Sequence, residues 1–221
     1  MIRAVVFDLD GVLVDSEHVW DAAREELARE RGGRWHDGAQ RDMMGMSSTE
    51  WSRYMHETIG IPDPPEEISA EVVRRLEQIY RRHLPLIDGA AEAVERLAAR
   101  WPLAVASSSN RPIIDLVLEL SGLARFFSTT VSSEEVPRGK PAPDVYLEAA
   151  RRLEVDPAAC AAVEDSHNGI LSAKAAGMRV IAIPNRRYPP AEGALAAADT
   201  VLASIHELTP ATVEGLHRSV D

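Results

Sequence analysis

Two aspartates spaced i, i+2 close an apolar run near the start of the chain, where residues 2–7 lead into Asp8-Leu9-Asp10-Gly11. The run has the length and β-branching of a buried strand. Its period sends both acids off one face. A carboxylate pair at the tip of a buried strand is costly unless a cation or hydrogen bonds balance it. The pair therefore points to a shared metal and to chemistry, with a polar-capped strand end as the plainer alternative. Gly11 then permits a sharp exit that a side chain would block.

Other polar residues stand after other apolar runs. Residues 103–106 deliver Ser107, Ser108 and Ser109; residues 160–163 deliver Glu164 and Asp165. Lys140 lies just ahead of a helix whose start is set by Pro141 and Pro143. Singly these are ordinary: a strand-end serine, a solvated lysine, an acidic pair favoured by a helix start. Together, in this order, they form one inventory. All-oxygen ligands without sulfur favour Mg²⁺ over zinc. With Mg²⁺ and Lys140, about three positive charges face the four carboxylates of Asp8, Asp10, Glu164 and Asp165. The Ser107 hydroxyl, with Ser108 and the backbone N–H groups of its turn, adds donors without adding charge. Such a set suits phosphoryl transfer, where positioning and charge neutralisation are most of the catalysis. No G-x-G-x-x-G or G-x-x-x-x-G-K-[ST] is present, so dinucleotide and P-loop nucleotide chemistry are disfavoured.

These residues need a scaffold that brings several strand ends together. Beyond residue 84, strands at 103–106, 129–132, 160–163, 180–183 and 200–202 alternate with helices at 90–100, 112–120, 143–153, 168–176 and 210–218. That alternation predicts βαβ units and a parallel sheet, whose ligands bind at the carboxyl ends of its strands. Residues 16–31, 47–58 and 66–83 read as helices, while 34–46 are mixed and glycine-punctuated. The expected fold is α/β: a Rossmann-like three-layer core of residues 1–15 and 85–221, with an all-helical cap of residues 16–84 inserted after the first strand.

The chain has 221 residues, a net charge of −11 and one cysteine, Cys160. The acidic balance argues against a nucleic-acid partner, and a single thiol allows no internal disulfide. No apolar segment approaches the ~20 residues of a membrane span, and Asp8 and Asp10 interrupt any secretory apolar region. A cytoplasmic protein without membrane attachment, a monomer or small homo-oligomer, is expected. His36, His56, His83, His206 and His217 lack partners at metal-ligand spacing and read as surface or cap-packing residues; His167 directly follows Glu164-Asp165-Ser166. Met43, Met44 and Met46 could line a cap pocket or pack the cap on the core, and Trp20, Trp35 and Trp51 read either way.

The sequence resembles the haloacid dehalogenase superfamily through four motifs in order: FDLDGVLVDS, AVASSSN, the lysine of GKPAPDVY, and VEDSHNGI. The resemblance spans the chain outside the cap, and a helical insertion after the first motif marks a subgroup. It implies that Asp8 is a nucleophile forming an aspartyl-phosphate. Asp10 would protonate the leaving oxygen, then take a proton from the attacking water. It also implies that Mg²⁺ is held by the side chains of Asp8 and Asp165 and the backbone carbonyl of Asp10, with Glu164 a ligand directly or through water. Ser107, Ser108 and Lys140 would hold the phosphoryl group.

Departures within the family decide between activities. The dehalogenase branch lacks an aspartate at the position of Asp10. The phosphonate-cleaving branch has alanine there and a cap lysine, and residues 16–84 contain no lysine. The β-phosphoglucomutase branch carries a cap histidine where this chain has Trp20, and an arginine soon after a Gly-Val-Ser where this chain reads Gly45-Met46-Ser47-Ser48. The DSExxW pattern of residues 15–20 resembles sugar-phosphate phosphatases. The expected function is a Mg²⁺-dependent phosphatase of a small phosphorylated metabolite, a sugar phosphate. A phosphosugar mutase and a catalytically silent binding module are the alternatives.

Overall fold

Alternate side chains along a central parallel sheet enter two different apolar layers. The computed structural model describes residues 1–43, 46–185 and 189–216; Met44, Gly45 and His217, and the end of the expected last helix, lie outside them. The strands are β1 (Ala4–Phe7), β2 (Leu103–Ser107), β3 (Phe127–Ser132), β4 (Cys160–Glu164), β5 (Arg179–Ala182) and β6 (Thr200–Val201). They lie in the order β3-β2-β1-β4-β5-β6, every pair parallel. The chain leaves β1 toward β2 and β3, then returns to the other side of β1 with β4. That reversal opens a crevice at the end of β1, the place where open α/β sheets bind ligands.

Val5, Phe7, Leu103, Val105, Ala161, Val163 and Ile181 enter one layer, covered by α5 (Ala90–Ala98), α6 (Arg111–Ser121) and α10 (Pro210–Gly215). Their neighbours Ala4, Val6, Ala104, Ala106, Cys160, Ala162 and Ala182 enter the other, under α7 (Asp144–Arg152), α8 (His167–Ala175) and α9 (Glu192–Ala197). Small residues on this second face let α7 come close enough for Tyr146 to reach Glu164 at the end of β4. Cys160 is buried there as a free thiol.

The α/β fold and its helical cap are as the sequence predicts. The cap is α1 (Glu17–Glu30), α2 (Ala39–Met43), α3 (Ser48–Tyr54) running into a π-helical turn (Met55–Ile59), and α4 (Pro65–Arg82). Gly60, at φ 85°, ends the turn in a conformation that favours glycine. The π turn interrupts the single helix expected over 47–58, and five-residue α2 is too short to show a helical period within 34–46. Trp20, Leu27, Trp51, Leu76 and Tyr80 join the first core layer, so the cap packs on the sheet's carboxyl side. Its two linkers lie side by side: Asp15 N–H donates to Pro85 O at 2.8 Å and Ile87 N–H to Leu13 O at 2.9 Å.

Candidate active site

β1 is followed by Asp8, and its neighbour β4 ends in Glu164 with Asp165 next in the chain. Lys140 reaches between them from the loop before α7. Its ammonium donates to Asp8 Oδ1 at 2.7 Å, Glu164 Oε1 at 2.6 Å and Ala106 O at 3.1 Å. Lys140 and Asp8 are buried and Glu164 is fully so. Burial acts to lower the lysine, but Asp8 and Glu164 outweigh it and hold the ammonium above its ordinary range.

Glu164 is saturated by protein donors. Oε1 accepts from Lys140 and from Tyr146 Oη at 2.7 Å, and Oε2 from the Asp165 and Ser166 N–H groups and the Ser166 hydroxyl. Gly169 makes this possible, because a Cβ there would stand 1.8 Å from Glu164 Oε1. Glu164 thus anchors Lys140 while its carboxylate stays beside those of Asp8 and Asp165.

Asp10 faces the cap. Its Oδ1 accepts from Ser16 Oγ at 2.5 Å and Trp20 Nε1 at 3.1 Å; Oδ2 accepts from Ser109 Oγ at 2.6 Å and Ser107 Oγ at 3.3 Å. Ser107 is fully buried and also accepts from Ser109 N–H at 3.0 Å. The following turn is braced from β3, where Ser132 Oγ donates to Ser109 O and Ser133 Oγ to Ser108 O. A cavity of about 60 Å³ opens over Asp8 and Asp10, and Ser108, Ser109, Lys140 and Asp165 line it while Ser107 and Glu164 stand behind.

Asp8, Glu164 and Asp165 offer carboxylate oxygens within 4.8 Å of one another. Burial, with Glu164 and Asp10, pushes Asp8 up to about 8 against the pull of Lys140. Burial, with Glu164 and Asp8, holds Asp165 well above the carboxylate range. Asp165 Oδ2 is buried without a hydrogen-bond partner, and a Cβ on Gly11 (φ 80°) would lie 1.9 Å from it. A glycine-shaped niche around an orphaned carboxylate oxygen fits a hard divalent cation, whose charge would reverse both shifts.

The cap supplies a roof of which the DSExxW pattern marks only Glu17 and Trp20. Glu17, Trp20 and Arg24 of α1, Met43 of α2, Met46 just before α3 and Trp51 of α3 line the same cavity. Arg24 does not figure among the residues singled out in the sequence, and Glu17 figures only as part of the DSExxW pattern. The available signal is their spacing from Trp20, at i−3 and i+4, which places two charges on the buried face of α1.

Parallel strands bearing acids at a topological switch, beneath an inserted helical cap, define a capped α/β enzyme. The family model of haloacid dehalogenase-like hydrolases matches residues 2–177, and the chain belongs to that family. Hexitol phosphatase B of Escherichia coli (strain K12) is 35% identical over 219 residues, covering 94% of this chain and 95% of its own. A phosphorylated carbohydrates phosphatase of Thermotoga maritima is 31% identical over 182 residues, covering 81% of this chain and 84% of its own. The crystal structure of CbbY from Rhodobacter sphaeroides in complex with phosphate aligns with a TM-score of 0.86 at 28% identity, covering 97% of this chain and 100% of that one. Among the described residues no helix is long and apolar enough to cross a membrane.

Proposed function

We propose that this hydrolase is a Mg²⁺-dependent phosphatase of a small phosphorylated metabolite, a sugar phosphate, working through an aspartyl-phosphate. The observation that carries the reading is the buried Asp8–Lys140–Glu164 array beside the orphaned Asp165. The phosphatase names of the two relatives support it.

Lys140 engages one oxygen of Asp8, and the other attacks phosphorus. The Asp8 O–P bond forms as the bond to the leaving oxygen breaks. Asp10, in reach of that oxygen, donates the proton it needs. Asp10 then takes a proton from a water that attacks the aspartyl-phosphate; the Asp8 O–P bond breaks, and inorganic phosphate and free Asp8 result. The Ser108–Ser109 turn, braced from β3, and Lys140 hold the phosphoryl oxygens, and the cap limits water to the cavity. Asp8, Asp165 and the Asp10 backbone would hold Mg²⁺, which supplies charge neutralisation at the transferring group. Glu164 serves this set by fixing Lys140.

The test is phosphate release from a panel of phosphorylated metabolites with Mg²⁺ or with a chelator. Release from sugar phosphates that stops with the chelator supports the reading. Activity that survives the chelator, or that Asp8→Asn retains, contradicts it. Conversion of β-glucose 1-phosphate to glucose 6-phosphate with a bisphosphate primer, without free phosphate, would replace it by the mutase reading.

A further inference from the structure

The roof of the cavity holds a buried cation that the proposed phosphoryl chemistry does not use. Arg24 is 6% exposed, and its guanidinium carbon lies 4.7 Å from the centroid of the Trp20 ring and 4.6 Å from that of Trp51. Its Nη1 donates to Gln40 Oε1 at 3.1 Å, a neutral acceptor. Its Nε is buried and has no hydrogen-bond partner. Two aromatic faces favour a guanidinium but accept no N–H in its plane. A buried donor without an acceptor is costly, and this one belongs to a side chain lining the site cavity.

Gln40 fixes the arrangement. It is 4% exposed, and its amide faces two ways: Nε2 donates to Glu17 Oε2 at 2.7 Å while Oε1 accepts from Arg24. The chemistry of the partners sets this amide orientation, since the carboxylate needs a donor and the guanidinium an acceptor. A carboxylate and a guanidinium are thereby held together on the wall that also carries Trp20, whose indole N–H bonds Asp10. A leaving oxygen protonated by Asp10 sits beside Trp20, so the rest of the leaving group extends toward Glu17 and Arg24.

We propose, building on the phosphatase reading, that Arg24 and Glu17, positioned by Gln40, determine specificity by binding a neutral, hydroxylated leaving group. A hydroxyl both accepts and donates, so it matches a wall that offers an N–H donor and a carboxylate acceptor side by side. A second phosphate does not match. Among the described lining residues Lys140 and Arg24 are the cations, against Asp8, Asp10, Glu17 and Asp165. Lys140 is committed to the reacting phosphoryl group, so a second dianion would meet Glu17 and Asp10 with Arg24 alone to balance it.

The experiment compares kcat/KM for three Mg²⁺-supported substrates: a polyol monophosphate, p-nitrophenyl phosphate, whose leaving group has no hydroxyl to read, and a sugar bisphosphate. The parent enzyme should prefer the polyol monophosphate over the bisphosphate at least ~10-fold. In Arg24→Met the ratio of polyol monophosphate to p-nitrophenyl phosphate should fall roughly 10- to 100-fold, the scale of a charge-assisted hydrogen bond. Gln40→Met should lower it less, and Arg24→Lys should restore part of it. A ratio within one preparation is independent of the folded fraction, so partial unfolding cannot mimic the result. An unchanged ratio in both Met variants would overturn the proposal, as would a parent enzyme that prefers the bisphosphate and loses that preference in Arg24→Met. Failure of the parent to hydrolyse any of the three would overturn the phosphatase reading itself.

Discussion

The floor of the cavity and its roof are built on opposite principles. On the floor the charges hold one another, apart from the Asp165 Oδ2 left for the cation: Lys140 bonds two carboxylates and a carbonyl, and Glu164 takes donors on both oxygens. Backbone positions are shaped to match, with Gly169 and Gly11 lying where a Cβ would collide with Glu164 and Asp165. On the roof one guanidinium rests on two indoles with Nε unmatched, beside the thioethers of Met43 and Met46. A floor fixed by its own partners presents the same face to any phosphate ester. The roof keeps a buried N–H without an acceptor, and the leaving group proposed above would complete it. On the proposed reading, the reaction belongs to the core and the choice of substrate to the cap.

The sharpest way to break this division is at Asp8. Asp8→Asn should lower turnover by at least about 10⁴-fold on every monoester alike, because no other group replaces the nucleophile. A loss that varied from ester to ester would mean that the floor also selects. Lys140→Met should come next, in stability: it leaves Asp8 and Glu164 buried without their cation, a cost of about 3–5 kcal/mol in urea unfolding. Gly169→Ala should cost less, about 1–3 kcal/mol, by pushing Glu164 off Lys140; unchanged stability would show the floor to be looser than its contacts suggest.

The smallest effect sharpens the roof. Burial and Asp10 push Glu17 up to about 7 from 4.5, against Arg24 and Gln40. The folded state therefore holds a proton that the unfolded chain releases between those values, and stability present below pH 4.5 is lost as pH rises through 7. Glu17→Gln removes that loss. The variant should melt higher than the parent at pH 8, by roughly 2–4 °C per kcal/mol, and match it at pH 4.5. Equal melting at both would place Glu17 in water rather than in the wall.

The floor was legible in the sequence because its residues sit at the ends of apolar runs. Asp8, Glu164 and Asp165 follow β-branched or small buried stretches, and the parallel order of those strands brings them together. Ser107 stands at the end of β2, as the sequence marks it, and its hydroxyl lies behind Ser108 and Ser109, bonded to Asp10 Oδ2 and Ser109 N–H, a rotation at a strand end that no periodicity encodes. The Lys140 and Tyr146 contacts of Glu164 come from distant segments with no sequence signal. The roof was legible in part: Trp20, Met43, Met46 and Trp51 line the cavity as one of their sequence readings has it, whereas Arg24 carried no signal. Arg24 falls on the apolar stripe of α1, where a long charged side chain usually runs out to solvent, and only the packing of Trp51 and Gln40 around it shows that it stays inside.

The claim that most of this rests on is that Asp8 carries the phosphoryl group, and acid quenching of the enzyme during turnover tests it most directly. With a sugar phosphate and Mg²⁺ present, peptide mapping by mass spectrometry should find a hydroxylamine-labile phosphoryl group on the peptide containing Asp8, absent from Asp8→Asn. A parent enzyme that releases phosphate steadily with no such peptide, while Asp8→Asn continues to turn over, would contradict it.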